Sequence, residues 1–311
     1  MNILSNINEM AQSEPKHLIE IAENEYNDQF LNLVKIISEN RRIKVVLIAG
    51  PSGSGKTTSA HILETKLKAA GIYSDVVSLD HFYLPIEKMP KLANGDPDFE
   101  TVYSLDIEAI KKCLSEIITV GKSTTPVFNF TTHRDSTKIN EINVGKNGVL
   151  IVEGLHALNP ILTENLDLSS LFKIYISVNK AVLDENNEVI LTSKQIRLIR
   201  RISRDYVYRS SDAERTLKLW TSVVAGEEKN LYCFKNIADL KLTTFHCYEP
   251  CIFRDIIIEL LKNLPENAEN YGYAMKIKEA LLKFAPLPQN IVPGNSLIRE
   301  FIKGGDYENA E

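Results

Sequence analysis

The chain is 311 residues long, with 44% hydrophobic residues, 25% charged residues and a formal net charge of −5. That length suits one large domain or two small ones with a sizeable core, and the composition is that of a folded chain, not a disordered one. A mildly acidic balance speaks against a broad nucleic-acid coat and leaves only local basic patches open. No apolar run approaches the roughly 18–20 residues that span a bilayer. The opening MNILSNINEM lacks the basic start and apolar block of a signal peptide. The cysteines are Cys113, Cys233, Cys247 and Cys251. Only the last two are close, and their spacing is no familiar zinc pattern; a metal site with adjacent His246 is conceivable, but reduced thiols of a cytoplasmic protein are the preferred reading.

In chain order, residues 13–42 read as one helix, capped by Ser13, with Pro15 in its first turn and apolar residues at helical spacing. Residues 43–49 (IKVVLIA) are rich in β-branched residues and almost wholly apolar, as in a parallel strand covered on both faces. A glycine-rich turn follows, then a helix over 57–70 that Gly71 ends. Residues 74–79 form a short strand ending at Asp80. A loop punctuated by Pro and Gly runs from about 84 to 100. Residues 105–120 form a helix opened by Asp106 and closed by Gly121, and 126–130 are extended. Strands are expected at 148–152 and 172–178, helices at 193–209 and 213–225, and a last strand at 238–244. Helices at 251–263 and 274–284 follow, and the polar tail 303–311 is expected to fray. Strands alternating with helices predict an α/β domain with a mainly parallel sheet.

Residues 50–57 (GPSGSGKT) satisfy GxxxxGK[ST] in full, between a strand and a helix. Glycines let the backbone curl so that successive N–H groups point at phosphate oxygens, and the following helix adds its positive N-terminus. Gly50, Ser52, Gly53, Ser54, Gly55, Lys56, Thr57 and Thr58 are the candidate nucleotide-binding residues. Lys56 reaches the outer phosphates, and the Thr57 hydroxyl is a candidate Mg²⁺ ligand. The motif predicts binding of a nucleoside triphosphate but not the fate of its phosphate.

Ligands in open α/β sheets gather beyond the carboxyl ends of the strands. Asp80 and Glu153 each end a strand there. Either acid alone could be a helix cap. Beside a phosphate loop, one suits a base for an attacking hydroxyl and the other a metal ligand. Residues 197–215 hold six arginines against three acids. Arg197, Arg200, Arg201 and Arg204 share one helix face. They read either as a solvated basic face paired with Asp205, Asp212 and Glu214, or as a lid that stabilises a triphosphate in its transition state. The second reading is preferred here. In 126–135 (PVFNFTTHRD), Phe128 and Phe130 lie on one strand face, where two rings can sandwich a flat base, and His133 can hydrogen-bond it. Core packing is the equal alternative. Tyr83 follows Asp80 by about one turn. Asp96 and Asp98 are candidates for sugar hydroxyls or for loop caps.

Together these segments resemble the uridine kinase / phosphoribulokinase branch of the P-loop kinases. The carriers are GPSGSGKTT (50–58), SLDHFY (78–83), PVFNFTTHR (126–134), IVEGLHAL (151–158) and RLIRRISRDYVYR (197–209). The resemblance spans about 43–245. The later segments TLKLWTSVVAGEEKNLYCFKNIADL and VPGNSLIREFIKGG are similar to a bacterial group of uridine kinase-like nucleoside kinases. Members of that group often carry N-terminal domains like those of threonyl-tRNA synthetase; only about 42 residues precede the kinase segment here.

The resemblance implies a P-loop NTPase three-layer fold with helical extensions, divided as 1–42, 43–250 and 251–311. It implies transfer from ATP or GTP, with Mg²⁺, to the 5′-hydroxyl of uridine or cytidine. By motif, Asp80 is the base, and Lys56 and Arg204 are catalytic. Thr57 and Glu153 serve the metal. Tyr83, Asp98, Phe128, Phe130, His133, Arg201 and Arg209 serve the nucleoside. The sequence departs from the family at Phe128, where tyrosine is usual, at Asn129, where aspartate is common, and in a short acidic loop at 94–100. The closer bacterial group often lacks the histidine found here as His133. Base preference therefore stays open. So does a different small alcohol as acceptor, such as ribulose 5-phosphate or pantothenate; where that substrate carries a phosphate of its own, Arg134 is one candidate contact for it. A non-catalytic nucleotide-binding module is the remaining alternative. A small-molecule nucleoside is the expected partner, with no nucleic acid and no membrane, and a homo-oligomer is left open.

Overall fold

The computed structural model describes residues 1–129 and 134–307, the side chains of 129 and 134–138 excepted. At its centre is a five-stranded sheet with spatial order β2-β5-β1-β6-β9. The strands are β1 (Val45–Ala49), β2 (Ser74–Ser78), β5 (Val149–Glu153), β6 (Leu171–Ser177) and β9 (Leu240–Thr243). Every pairing in it is parallel. Alternation along β1 explains the layering. Val46 and Ile48 point into one apolar cluster, with Ile62 and Leu63 of helix α3 (Lys56–Ala69). Val45, Leu47 and Ala49 point into another, with Ile110, Leu114 and Ile117 of helix α4 (Ile107–Val120). Asp106 caps α4 by accepting the Ala109 N–H (2.9 Å), and Gly121 closes it at φ 74°.

Two small hairpins stand outside the sheet. Strands β3 (Lys122–Asn129) and β4 (Arg134–Asn143) pair antiparallel, with an irregularity between Pro126 and Phe128. Strands β7 (Val182–Leu183) and β8 (Val189–Leu191) form the other. Pro126 has no N–H to give to a ladder, so a bulge is where a strand tolerates it.

Helix α5 (Ser193–Arg209) matches its predicted span because Thr192 and Gln195 form a capping box. Helices α6 (Ala213–Asn230), α7 (Glu249–Leu260) and α8 (Tyr271–Leu281) complete the helical layer. Residue 225 falls short of the end of α6.

The N-terminal segment corrects the sequence reading. Instead of one helix over 13–42 there are two, α1 (Leu4–Ser13) and α2 (Pro15–Glu39). Glu14 breaks them at φ −139°, as expected before a proline, whose ring disfavours helical geometry in the preceding residue. Ser13 therefore ends α1, with its Oγ donating to the Glu9 carbonyl (2.8 Å), and does not cap α2. Leu18, Ala22, Tyr26, Phe30, Leu33 and Ile37 of α2 are buried in the same cluster as α3 and the C-terminal residues Leu297, Ile298 and Phe301. Tyr26 Oη also pairs with Ser59 Oγ of α3 (2.8 Å). No helix among the described residues is long and apolar enough to cross a membrane.

Candidate functional site

The phosphate loop lies between β1 and α3, at the carboxyl edge of the sheet. Gly53 sits at φ +72°, and a Cβ there would come within 2.8 Å of the Arg197 carbonyl oxygen. Gly55, at φ +82°, would strike the Leu297 side chain at 2.5 Å. Both positions need glycine for backbone angle and for space. The loop is pinned from outside. The Ser52 N–H donates to Glu227 Oε1 (2.7 Å), and Arg197 donates to the Ser52 carbonyl (2.9 Å). Arg200 donates to the Gly53 carbonyl (3.2 Å). The Ser54 hydroxyl is fully buried and has no hydrogen-bond partner among the described residues. Lys56 Nζ reaches the Pro51 carbonyl at 3.5 Å.

Asp80 and Glu153 stand opposite Lys56. Asp80 lies in a short 3₁₀ turn, Leu79–Phe82, opened by Ser78, whose Oγ accepts the Asp80 N–H (3.3 Å). The residue is exposed to solvent, yet protein surrounds its carboxyl. That enclosure raises its pKa, against the opposing pull of Lys56, Arg209, His81 and Arg204. Glu153 is buried. Desolvation, opposed by Lys56 and reinforced by Asp80, pushes it up to about 7. The Thr57 hydroxyl donates to Glu153 Oε1 at 3.4 Å.

Of the arginines on α5, two belong to the scaffold. Arg197 forms a buried two-point pair with Glu227 (2.8 and 2.9 Å). Arg200, fully buried, does the same with Glu249 (2.6 and 2.9 Å). This corrects the reading of all four as a lid face. Arg201 faces the loop, donating to Ser52 Oγ (2.9 Å) and to Asp205 (3.3 Å). Arg204 lies near Asp205 (3.4 Å) and Glu300 (3.9 Å), and Arg209 pairs with Asp205 (3.3 Å). Thus Asp205 gathers the three arginines that remain near the phosphate loop.

On the acceptor side, Tyr83 packs edge-on against Phe99 (centroids 5.7 Å) and tilted against Phe128 (5.6 Å). Its hydroxyl donates to the Phe99 carbonyl (3.1 Å). Phe130 and His133 lie outside the described residues, as does the side chain of Arg134. Asp98 Oδ1 accepts the Glu100 N–H (3.0 Å), a loop-capping role, and exposed Asp96 is held by Asn94 (2.8 Å).

The sequence reading missed Glu100. Burial raises it to about 7; Arg201 opposes that shift, and Glu227, Asp98 and Asp80 add to it. It is the acid of the 94–100 loop that lies beside Arg201. Nearby, His156 is buried, which holds its pKa down at about 4 and keeps it neutral. Glu300 was missed too. Its Oε2 accepts from the Thr58 hydroxyl (2.7 Å) and N–H (3.4 Å). No sequence spacing links residue 300 to residue 58. The one available signal was VPGNSLIREFIKGG standing out as a segment.

The model of the Phosphoribulokinase / Uridine kinase family matches residues 45–241. The chain belongs to this family. It is therefore a member of a family of kinases, phosphotransferases on small molecules. A uridine kinase of Schizosaccharomyces pombe is 29% identical over 192 residues, covering 61% of this chain and 38% of that one. One of Ureaplasma parvum is 28% identical over 182 residues, covering 58% and 78%. This chain thus spans little more than a third of the fission-yeast relative's length. Among solved structures, D-glycerate 3-kinase from Cryptococcus neoformans var. grubii superposes with a TM-score of 0.50 at 15% identity, covering 67% of this chain and 89% of that one. That likeness concerns the fold.

Proposed function

We propose that this member of the family is a nucleoside kinase that transfers the γ-phosphate of ATP or GTP to the 5′-hydroxyl of uridine or cytidine. The observation that carries this reading is the placement of Asp80. Its carboxyl faces Lys56 of the phosphate loop and stands three residues before Tyr83, which packs on Phe99 and Phe128. A flat base against such rings would set a sugar hydroxyl beside a carboxylate that can take its proton. The uridine kinases among the relatives agree with that choice.

In this reading the acceptor hydroxyl loses its proton to Asp80 as its oxygen attacks the γ-phosphorus in line. The bond from that phosphorus to the bridging oxygen breaks, and the electron pair leaves with the diphosphate. Lys56 and the loop N–H groups hold the charge on the phosphate oxygens. Arg204, with Arg201 and Arg209, neutralises what develops in the transition state. Glu100 beside Arg201 suits the sugar hydroxyls better than Asp98, which is committed to its own loop. The hydroxyl of Thr57 and the carboxylate of Glu153 fit Mg²⁺, a hard cation that takes oxygen ligands. When bound, the ion would offset negative charge on the phosphate oxygens.

The test is an acceptor panel of nucleosides, D-glycerate, ribulose 5-phosphate and pantothenate with ATP and Mg²⁺, read by mass spectrometry. Uridine or cytidine monophosphate is expected, with Lys56→Ala as the inactive control. Product only from the non-nucleosides would reject the proposal.

A further inference from the structure

The cleft does not end at the phosphate loop. Beyond Thr57 and Thr58 lies a cavity of about 150 Å³, whose walls include His61, Arg204, Tyr208, Glu300 and Tyr307. Glu300 and Tyr307 lie outside the segment that matches the family.

The direction of the donor follows from α3. Lys56 and Thr57 face the carboxylates Asp80 and Glu153. Each helical residue turns by about 100°, so Thr58 points elsewhere, toward Glu300. A polyphosphate lying across this helix start with its terminal phosphate near Asp80 has its other end at Thr58. The cavity opens there and continues to His61, one turn on. His61 and Tyr307 present nearly parallel rings, 14° apart in plane with centroids at 6.1 Å. Arg204 and Glu300 supply polar groups beside them. Flat aromatic walls with a few polar groups suit a nucleoside.

The wall is well anchored. Leu297, Ile298 and Phe301 are buried, and Leu297 fills the space against Gly55. The Ser203 hydroxyl donates to the Phe301 carbonyl (2.7 Å), Tyr208 Oη to the Ile302 carbonyl (3.2 Å), and the Asp306 N–H to the Gly294 carbonyl (2.9 Å).

We propose that this cavity holds the nucleoside moiety of the phosphate donor, and that residues 296–307 of the C-terminal extension build its outer wall. The inference rests on the kinase reading above. Glu300 occupies the N–H of Thr58, a place at a helix N-terminus that favours anions. A donor phosphate taking that N–H displaces the carboxylate toward the cavity, where ribose hydroxyls can donate to it.

The experiment is calorimetric titration of the full chain with MgATP and with magnesium tripolyphosphate, which lacks the nucleoside. Tyr307→Ala and His61→Ala should weaken ATP binding about tenfold while leaving tripolyphosphate unchanged. Tyr307→Phe should bind ATP like the parent. Thermal melts of each variant confirm folding. Alanine variants that bind ATP like the parent, or that lose both ligands equally, overturn the inference. A parent chain that binds neither ligand overturns the donor-site reading itself.

Discussion

At the scale of single residues, Asp80 and Glu153 are two carboxylates in one electrostatic setting with different exposure. Asp80 is an exposed residue with an enclosed carboxyl, and Glu153 is buried throughout. That division suits Asp80 as the proton acceptor. Asp80→Asn should lower kcat by roughly 10²–10⁴-fold, the usual value of a general base, with KM for ATP nearly unchanged. Steady-state kinetics with ATP and uridine check this. An equal loss of ATP affinity would make Asp80 chiefly a metal ligand instead.

Glu153 makes a pH prediction. Burial raises its pKa from 4.5 to about 7 in the folded chain. Between those values the folded chain holds a proton that the unfolded chain has released. The resulting stability is complete below about pH 4.5 and lost as pH rises through 7. The shift corresponds to something on the order of 3 kcal/mol. In metal-free buffer, Tm should therefore fall between pH 5 and 8. Glu153→Gln should flatten that fall and raise Tm at pH 8. A parent and variant with the same pH profile would contradict the assignment.

At the scale of elements, α5 shows how far the sequence could be read. Its ends were legible because Thr192 and Gln195 cap it locally and Arg209 ends its basic run. The division of its arginines was not. Arg197 and Arg200 find their acids at Glu227 and Glu249, on α6 and α7, which only folding brings near. On one helix they look no different from Arg201 and Arg204. The same limit hid Glu100 and Glu300, whose meaning lies in long-range neighbours. By contrast, the phosphate loop and the positions of Asp80 and Glu153 at strand ends were legible, because motif and hydrophobic pattern are local. The hairpin of β3 and β4 was half seen: Pro126 marked an extended segment, and its polar partner strand carried little apolar signal.

The buried pair on α5 gives a stability prediction. Arg200→Leu leaves the Glu249 carboxylate buried and unpaired, which should cost about 3–5 kcal/mol. Adding Glu249→Leu should restore much of that loss, as read by urea denaturation. A single variant as stable as the parent would refute the scaffold role of this pair.

At the scale of the whole molecule, the net charge of −5 conceals a segregated distribution. Arg201, Arg204 and Arg209 crowd the phosphate loop, and Arg197 and Arg200 are neutralised inside the scaffold. The two extensions share this economy of burial. Glu23 of α2, Tyr248 before α7 and Ser296 of the C-terminal segment meet in one buried hydrogen-bonded group, in which Ser296 Oγ lies 2.6 Å from Glu23. We retain the division at 42/43 and 250/251 as a proposal about organisation. One apolar cluster runs through all three parts.

The most direct test of the account is a comparison of uridine with 5′-deoxyuridine as acceptor, with ATP and Mg²⁺, followed by ³¹P NMR and mass spectrometry. The account predicts uridine 5′-monophosphate and ADP from the first and no nucleoside phosphate from the second. Phosphorylation of 5′-deoxyuridine, or ADP formation that neither nucleoside stimulates, would contradict it.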